Sequence, residues 1–422
     1  MNKRYNDILF VLALLVAAAA LVGLTWVNYR YAVQNPGGSD FLPRWVGTRL
    51  FLMEGQSPYS EQTTAEIHRL FYGRPARPNE DQVLFAYPLY AIFVFGPFAM
   101  FEEFNLARAI WMTTLEVSVL LLVAAGLSLA RWRPKALMLA GLLVFALLWY
   151  YGLRALINAN AGLLIALMVA GVLLLIRAEQ DGLAGALLAL ATFKPQVVLP
   201  LFILVLLWAG SRRRWVLVWS SLGSVVLLSA LMALLMPDWI WQNLVQIAAY
   251  PEYTLPTTPG EIFTYWMPGV GKQIGWALTV LSVGTMVWEG RAALGKDYRW
   301  FLWAAYLFLA LTPLTGLQAA TENYMVMLPA LLLIFTAWDS EWGPLGRVLI
   351  VASCLVLFFG LWGLFLATLE RGEQPVQGPI MFFPLPLFVV GGLYWIRWWV
   401  LRPEQPLLDR WRKVQRSSAS ER

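Results

Sequence analysis

Charge is what this 422-residue chain has least of: only 13% of its residues are Asp, Glu, Lys or Arg. A soluble chain of that length needs far more charge to cover its surface. It has one histidine, His68, and one cysteine, Cys354. A lone cysteine excludes a disulfide framework or a thiolate metal site within the chain and leaves the redox compartment unreadable. A lone histidine removes most zinc and histidine-relay chemistry. The acids are not clustered either, so neither a metal nor any other cofactor is expected.

What is abundant is apolar. Hydrophobic residues are 59% of the chain, and the mean hydropathy is +0.63. The expected class is therefore an all-α polytopic membrane protein. On a yardstick of roughly 20 apolar residues per crossing there is room for about twelve spans. They fall near 7–28, 84–101, 106–130, 135–153, 158–176, 183–208, 215–236, 273–290, 299–314, 324–338, 347–369 and 380–400. The first is long enough for an uncleaved anchor. Many of the 22 Trp and 16 Tyr lie at the ends of these runs, as in an interfacial aromatic belt.

The formal charge of +6 does not point to nucleic acid, because the basic residues sit in short clusters at the ends of apolar runs. Lys3 and Arg4 place the N-terminus inside, and so do Arg212 to Arg214 and the basic tail 401–422 on an even count. Arg131, Arg133 and Lys135 break the rule, so either that loop is an exception or an early span is re-entrant. On this topology Glu102 and Glu103 lie inside. Two long connections, 29–83 and 237–272, fall outside. The first carries helical periodicity over 43–53 and 61–72, separated by Gly55-Gln56-Ser57-Pro58, and reads as two amphipathic interfacial helices. The second is rich in Trp, Tyr and Pro, and long loops often carry function. His68 has no partner histidine or cysteine and reads as a surface residue.

Few polar residues are placed to do chemistry. Asp40 sits in Gly37-Gly38-Ser39-Asp40-Phe41 before the first interfacial helix; position alone favours a helix N-cap there. Lys194 lies amid an apolar run, where a cation is costly unless it meets an anion or water; the alternative is a snorkelling side chain. Its position near mid-span requires a broken helix or a water-filled cavity. Arg44 is one helical turn after Asp40, and Arg49 is equally able to face headgroups. Glu261 and Tyr265 in the second connection are weak candidates for acceptor recognition.

Taken in order, the pieces resemble a known family. Asp40-Phe41 is followed by Gly55, Pro58-Tyr59, Tyr87-Pro88, Asn158-Ala159-Asn160, Lys194-Pro195, Thr312-Pro313 and Glu322-Asn323-Tyr324. This succession resembles the polyprenyl-phosphate-sugar-dependent glycosyltransferases of the GT-C superfold, and most of all glycosyltransferase family 87, whose characterised members are mannosyltransferases. The chain departs from the family's pattern in having no histidine after Thr312-Pro313, and in having Asn158 and Asn160 where a glycine-glutamine pair is usual.

The resemblance implies a GT-C-like transmembrane domain over 1–422 and a catalytic aspartate in the first outer loop, for which Asp40 is the match. It implies a lipid-phosphate sugar donor, probed by Lys194, Arg44, Arg49, Tyr87 and Asn160, and a lipid or glycan acceptor met by Glu322 and Asn323. An ionised carboxylate in reach of an acceptor hydroxyl can take its proton as the new bond forms, and protein cations then match the leaving phosphate. The implied function is an inverting, metal-independent hexosyltransferase, with mannose the expected sugar. Membrane lipids are the expected surroundings and nucleic acid is not a partner. The expected location is a bacterial plasma membrane, with the site facing outside the cytoplasm. The competing readings are a lipid or sugar transporter, an O-antigen-type ligase or polymerase, and a membrane scaffold. A transporter predicts paired halves, which the sequence does not show; a ligase of that kind has its arginine–histidine pair late in the chain; a scaffold does not explain Lys194.

Overall fold

The computed structural model describes residues 3–77, 80–253, 257–317, 320–369 and 377–402, and among them every regular element is helical. The expected basic tail lies outside the described residues beyond Arg402. The first helix, α1 (Lys3–Gln34), is a greasy rod whose most apolar 18-residue window has no buried residue, while its last turns pack on the helix that follows Glu103. Phe10 is 65% exposed and Val22 71%; continuous apolar surface of this kind is a lipid-facing surface.

The next two helices are the ones that the periodicity predicts. α2 (Leu42–Glu54) carries Pro43 in its first turn, where the missing N–H costs nothing. It ends at Gly55 in a left-handed conformation, φ 66°. α3 (Glu61–Tyr72) starts on Ser60, whose side chain accepts from the Thr63 N–H. His68 on α3 corrects the surface reading. It is 7% exposed, its Nε2 lies 2.7 Å from the Gln82 carbonyl and its Nδ1 accepts from the Ala76 N–H at 3.2 Å. Both ring nitrogens are used to fold the segment after α3 back onto it.

The stretch 84–101 does not cross the bundle. Its helix α4 (Ile92–Ala99), entered through the turn Leu89–Ala91, packs on α2. The Trp45 indole donates to the Phe101 carbonyl at 3.2 Å, so the chain returns to the end at which it began. The following helix, α5 (Phe104–Ala130), therefore starts at the Asp40 end. The Tyr29 hydroxyl donates to Glu103 at 2.9 Å, and Asn28 donates to Thr113 at 3.0 Å and Glu116 at 2.8 Å. Glu103 shares an end with Asp40, which corrects the reading that set them on opposite sides; the turn-back of 84–101 matches the re-entrant alternative for the early spans and puts Arg131, at the close of α5, at the far end.

α6 (Ala136–Leu148) and α7 (Tyr150–Ile157) form one path bent by 50° at Trp149, and α8 (Gly162–Arg177) then runs from the Asp40 end to the far end. The expected single span 183–208 is two helices, α9 (Asp181–Ala191) and α10 (Pro195–Ser211), broken at Lys194. Asp181 opens α9 and is ion-paired with Arg214, just past α10. The segment therefore climbs to an apex at Lys194 and returns. Pro195 cannot continue the ladder of α9 and opens α10 instead.

α11 (Trp215–Leu235) leads to the second long connection, which is itself helical: α12 (Trp239–Tyr253) and α13 (Pro259–Trp266), the latter with a Thr258–Glu261 capping box. α14 (Gly271–Ala293), α15 (Tyr298–Leu311) and α16 (Leu328–Trp342, after the turn Thr321–Met327) follow. α17 (Pro344–Leu355), α18 (Leu361–Thr368) and α19 (Pro384–Leu401) complete the bundle. Within it α14 and α19 are joined by an ion pair, Arg397 Nη2 to Glu289 at 2.9 Å. Among the described residues six helices are long and apolar enough to cross a membrane, seven if the bent pair is one span, against the twelve expected. Four more apolar helices are shorter, α9 and α10 among them.

Candidate active site

Asp40 is held from four directions. Phe41 is fully buried and stacks on Trp111 with ring centroids 5.5 Å apart. The Asp40 N–H donates to the Asn158 carbonyl at 3.2 Å. Asn160 Nδ2 donates to Asp40 Oδ2 at 2.8 Å. Arg108, 1% exposed, presses on the preceding glycines from α5. A Cβ at Gly37 would lie 2.7 Å from its Nη2, and one at Gly38 2.9 Å from its Cδ, with φ +76° at Gly38 besides. Its Nη1 donates to the Asn35 carbonyl at 2.8 Å. The N-cap reading of Asp40 is thereby overturned: Phe41 is the cap of α2 and no side chain caps it. Asp40 Oδ1 has no hydrogen-bond partner among the described residues.

Asn160 is the centre of the arrangement. Its Oδ1 accepts from Lys194 Nζ at 2.7 Å and from the Gly162 N–H at 2.7 Å, opening α8. One amide thus joins the carboxylate of the first loop to the lysine at the α9–α10 apex. The broken helix that a buried Lys194 requires is present, and the lysine is 3% exposed. Arg44, 8% exposed, lies with its guanidinium 4.3 Å from the Tyr87 ring centroid, and Lys194 Nζ is 5.9 Å from the same ring. The Tyr87 carbonyl is tied down by the Tyr59 hydroxyl at 2.7 Å.

Asp40, Arg44, Tyr87, Asn160, Lys194 and Asn323 line one cavity of about 370 Å³, within the range of small-ligand sites. Its lining carries the Asp40 carboxylate and two buried cations, Arg44 and Lys194. Asn323 is 3% exposed, and its Oδ1 has no partner among the described residues. Glu322 is not in the lining. It accepts from Asn158 Nδ2 at 3.2 Å and lies 4.0 Å from Arg154, so it braces the asparagine loop from behind. Arg49 is also outside: it donates to the Ala99 carbonyl at 3.1 Å and ties α2 to α4. Glu261 and Tyr265 line a neighbouring cavity of about 630 Å³ that meets the first at Gly316. Glu261 serves there as the capping-box acid, accepting from the Thr257 and Thr258 N–H groups.

Several contributors escaped the sequence reading. Arg108 is an arginine in an apolar run like Lys194, and that signal was present. Thr257 and Gly316 reach the cavity only through tertiary packing. Asp81 stands near the site: burial pushes its carboxyl above the usual range against the Val83 N–H that it accepts, and the charge of Asp40 adds to the push.

Gly162 tests this geometry. A Cβ there would sit 2.8 Å from the side-chain oxygens of Asn160 and Asn323 and 2.9 Å from the Glu322 carbonyl. Gly162→Ala is expected to displace Asn160 from Asp40 and lower turnover by about tenfold or more, since small misplacements are costly at reacting centres. Initial rates on folded protein, checked by thermal melting, decide it; an unchanged rate removes Asn160 as the positioning amide.

The model of glycosyltransferase family 87 matches residues 85–314, more than half of the chain. Tyr87, Asn160 and Lys194 lie within the matched stretch; Asp40, Arg44, Arg49, Glu322 and Asn323 lie outside it. No curated protein and no solved structure matches the chain.

Proposed function

The chain belongs to glycosyltransferase family 87, and on that premise we propose that it moves a hexose, mannose by family resemblance, from a polyprenyl phosphate to an acceptor hydroxyl with inversion. The observation that carries this reading is the Asn160 amide, which holds Asp40 at 2.8 Å and Lys194 at 2.7 Å in one cavity. A base and a cation fixed on one amide suit a reaction in which a proton leaves one oxygen while negative charge grows on another.

In this mechanism Asp40 Oδ1 takes the acceptor's proton as its oxygen attacks the anomeric carbon. The bond from that carbon to the phosphate oxygen breaks on the opposite face. The lipid phosphate leaves as an anion, met by Lys194 and by Arg44, which Tyr87 orients through its ring. Asn323 Oδ1 offers an acceptor for a sugar hydroxyl. The neighbouring cavity at Gly316 gives a second substrate or a lipid chain room to approach. The site would face outside the cytoplasm, where lipid-linked sugars are the activated donors.

The test is sugar transfer by the purified protein in lipid discs, with a membrane lipid extract as acceptor. Mannosyl-phosphoryl-polyprenol should be consumed and the product should carry the inverted anomer, whereas a nucleotide mannose should be inert. Turnover with the nucleotide sugar alone, or a retained anomer, overturns the reading.

A further inference from the structure

Arg108 takes no part in the transfer scheme above, yet at 1% exposure it is among the most deeply buried large side chains of the protein. It projects from α5 and is not among the residues that line the cavity of Asp40 and Lys194. Its guanidinium joins two helix ends. Nη1 donates to the Asn35 carbonyl at 2.8 Å, just past the close of α1, and Nη2 reaches the Ile157 carbonyl, the last of α7, at 3.4 Å. The last carbonyls of a helix have no partner within it and carry partial negative charge, so one planar fork satisfies two ends at once.

Those two ends are the roots of the site. Asp40 lies a few residues after Asn35, and Asn158 to Asn160 directly follow Ile157. The two loops then meet, through the Asp40 N–H on the Asn158 carbonyl at 3.2 Å and Asn160 Nδ2 on Asp40 Oδ2 at 2.8 Å. Trp111, one turn further along the same face of α5, repeats the arrangement. Its indole donates to the Ala159 carbonyl at 2.9 Å while its ring stacks on Phe41. Ala159 is held at φ 55°, a conformation that a residue with a side chain keeps only where its surroundings impose it. One face of α5 thus grips both loops, and Arg108 is the part of it that ties their roots.

We infer that Arg108 is a positioning residue for sugar transfer: by fixing the roots of both loops it sets where the Asp40 carboxylate stands. This inference rests on Asp40 as the base, the reading proposed above. Arg108 lies outside the cavity, so its effect passes through the backbone of 35–40 and 157–160. A lysine keeps the charge but is a point donor that cannot span two carbonyls. Arg108→Lys therefore separates the fork from the charge.

The test is steady-state transfer from mannosyl-phosphoryl-polyprenol by the full chain in lipid discs, with thermal melts alongside. Arg108→Lys should lower kcat about 10- to 100-fold, the scale of a small misplacement at a reacting centre, and leave donor KM within about twofold, because Lys194, Arg44 and Tyr87 are untouched. In the Asp40→Asn background the same substitution should cost less than about twofold, since there is no longer a base to place. Gly37→Ala keeps the arginine and moves it. The new Cβ, on an exposed residue, would lie 2.7 Å from Nη2, the nitrogen that reaches Ile157. It should give the same fall in kcat and the same loss of effect without the base, and it decides the matter should Arg108→Lys not fold. Native kcat in either folded variant, a raised donor KM with kcat unchanged, or the full loss repeated in the Asp40→Asn background overturns the inference and leaves the transfer reading standing. Native turnover in Asp40→Asn itself overturns that reading, and this inference with it.

Discussion

Asp40→Asn should lower the turnover number for sugar transfer by about 10²- to 10⁴-fold, the usual contribution of a positioned general base. The substitution is isosteric, and the new amide oxygen can still accept from Asn160 Nδ2, the contact made at 2.8 Å in the native chain. The Asp40 N–H keeps its bond to the Asn158 carbonyl, and Phe41 keeps its stack on Trp111. Fold and donor KM should therefore change little, and the loss should appear in kcat. Steady-state kinetics with a defined polyprenyl phosphate donor, beside a thermal melt of both proteins, separates these effects. Turnover near that of the native protein would take Asp40 out of the mechanism.

Lys194→Met should reduce kcat/KM for the donor by about 10²- to 10³-fold, the scale seen when one stabiliser of developing charge is removed. Methionine fills much of the same volume without a charge, so packing at the apex of α9 and α10 is retained. The native ammonium is 3% exposed and rests on an amide oxygen at 2.7 Å. An amide alone compensates a buried cation poorly; an arriving phosphate compensates it well. Because the phosphate is charged both before and after transfer, KM for the donor should rise along with the fall in kcat. A variant with native KM and kcat would show that Lys194 merely snorkels. Losing donor binding while Asp40→Asn loses only turnover would assign the two residues to different halves of the reaction.

The local parts of this molecule could be read from its sequence. The helix breaks at Gly55 and at Lys194-Pro195 follow from backbone chemistry that needs no neighbours. Lys194 announced itself by standing in an apolar run, and Asp40, Arg44, Tyr87, Asn160 and Asn323 converge on the same cavity although Asp40 and Asn323 lie far apart in sequence. Path was harder. Hydropathy measures how apolar a stretch is, not whether it goes across or turns back. The return of 84–101 depends on Trp45 reaching the Phe101 carbonyl, and the doubling of 183–208 depends on Asp181 meeting Arg214. Those partners are remote in sequence and carry no local mark. His68 failed for the same reason, since its partners are backbone groups of the loop that it folds. Arg49 and Glu322 were polar residues in the right neighbourhood whose hydrogen bonds go to scaffold instead of cavity.

The helix pair that meets at Lys194 also bears on how the protein is made. α9 has 11 residues and α10 has 17, each short of the roughly 20 that let a segment partition into lipid on its own. Its apex carries a cation that lipid rejects. During synthesis this wedge has no stable place until α11 arrives to grip it, with Gly185 so close that a Cβ there would lie 2.6 Å from the Ser221 backbone nitrogen. The lysine is thus delivered late, by the closing of neighbours around it, and a chain stalled before α11 would be anchored in the membrane with Lys194 not yet held in the cavity that it shares with Asp40.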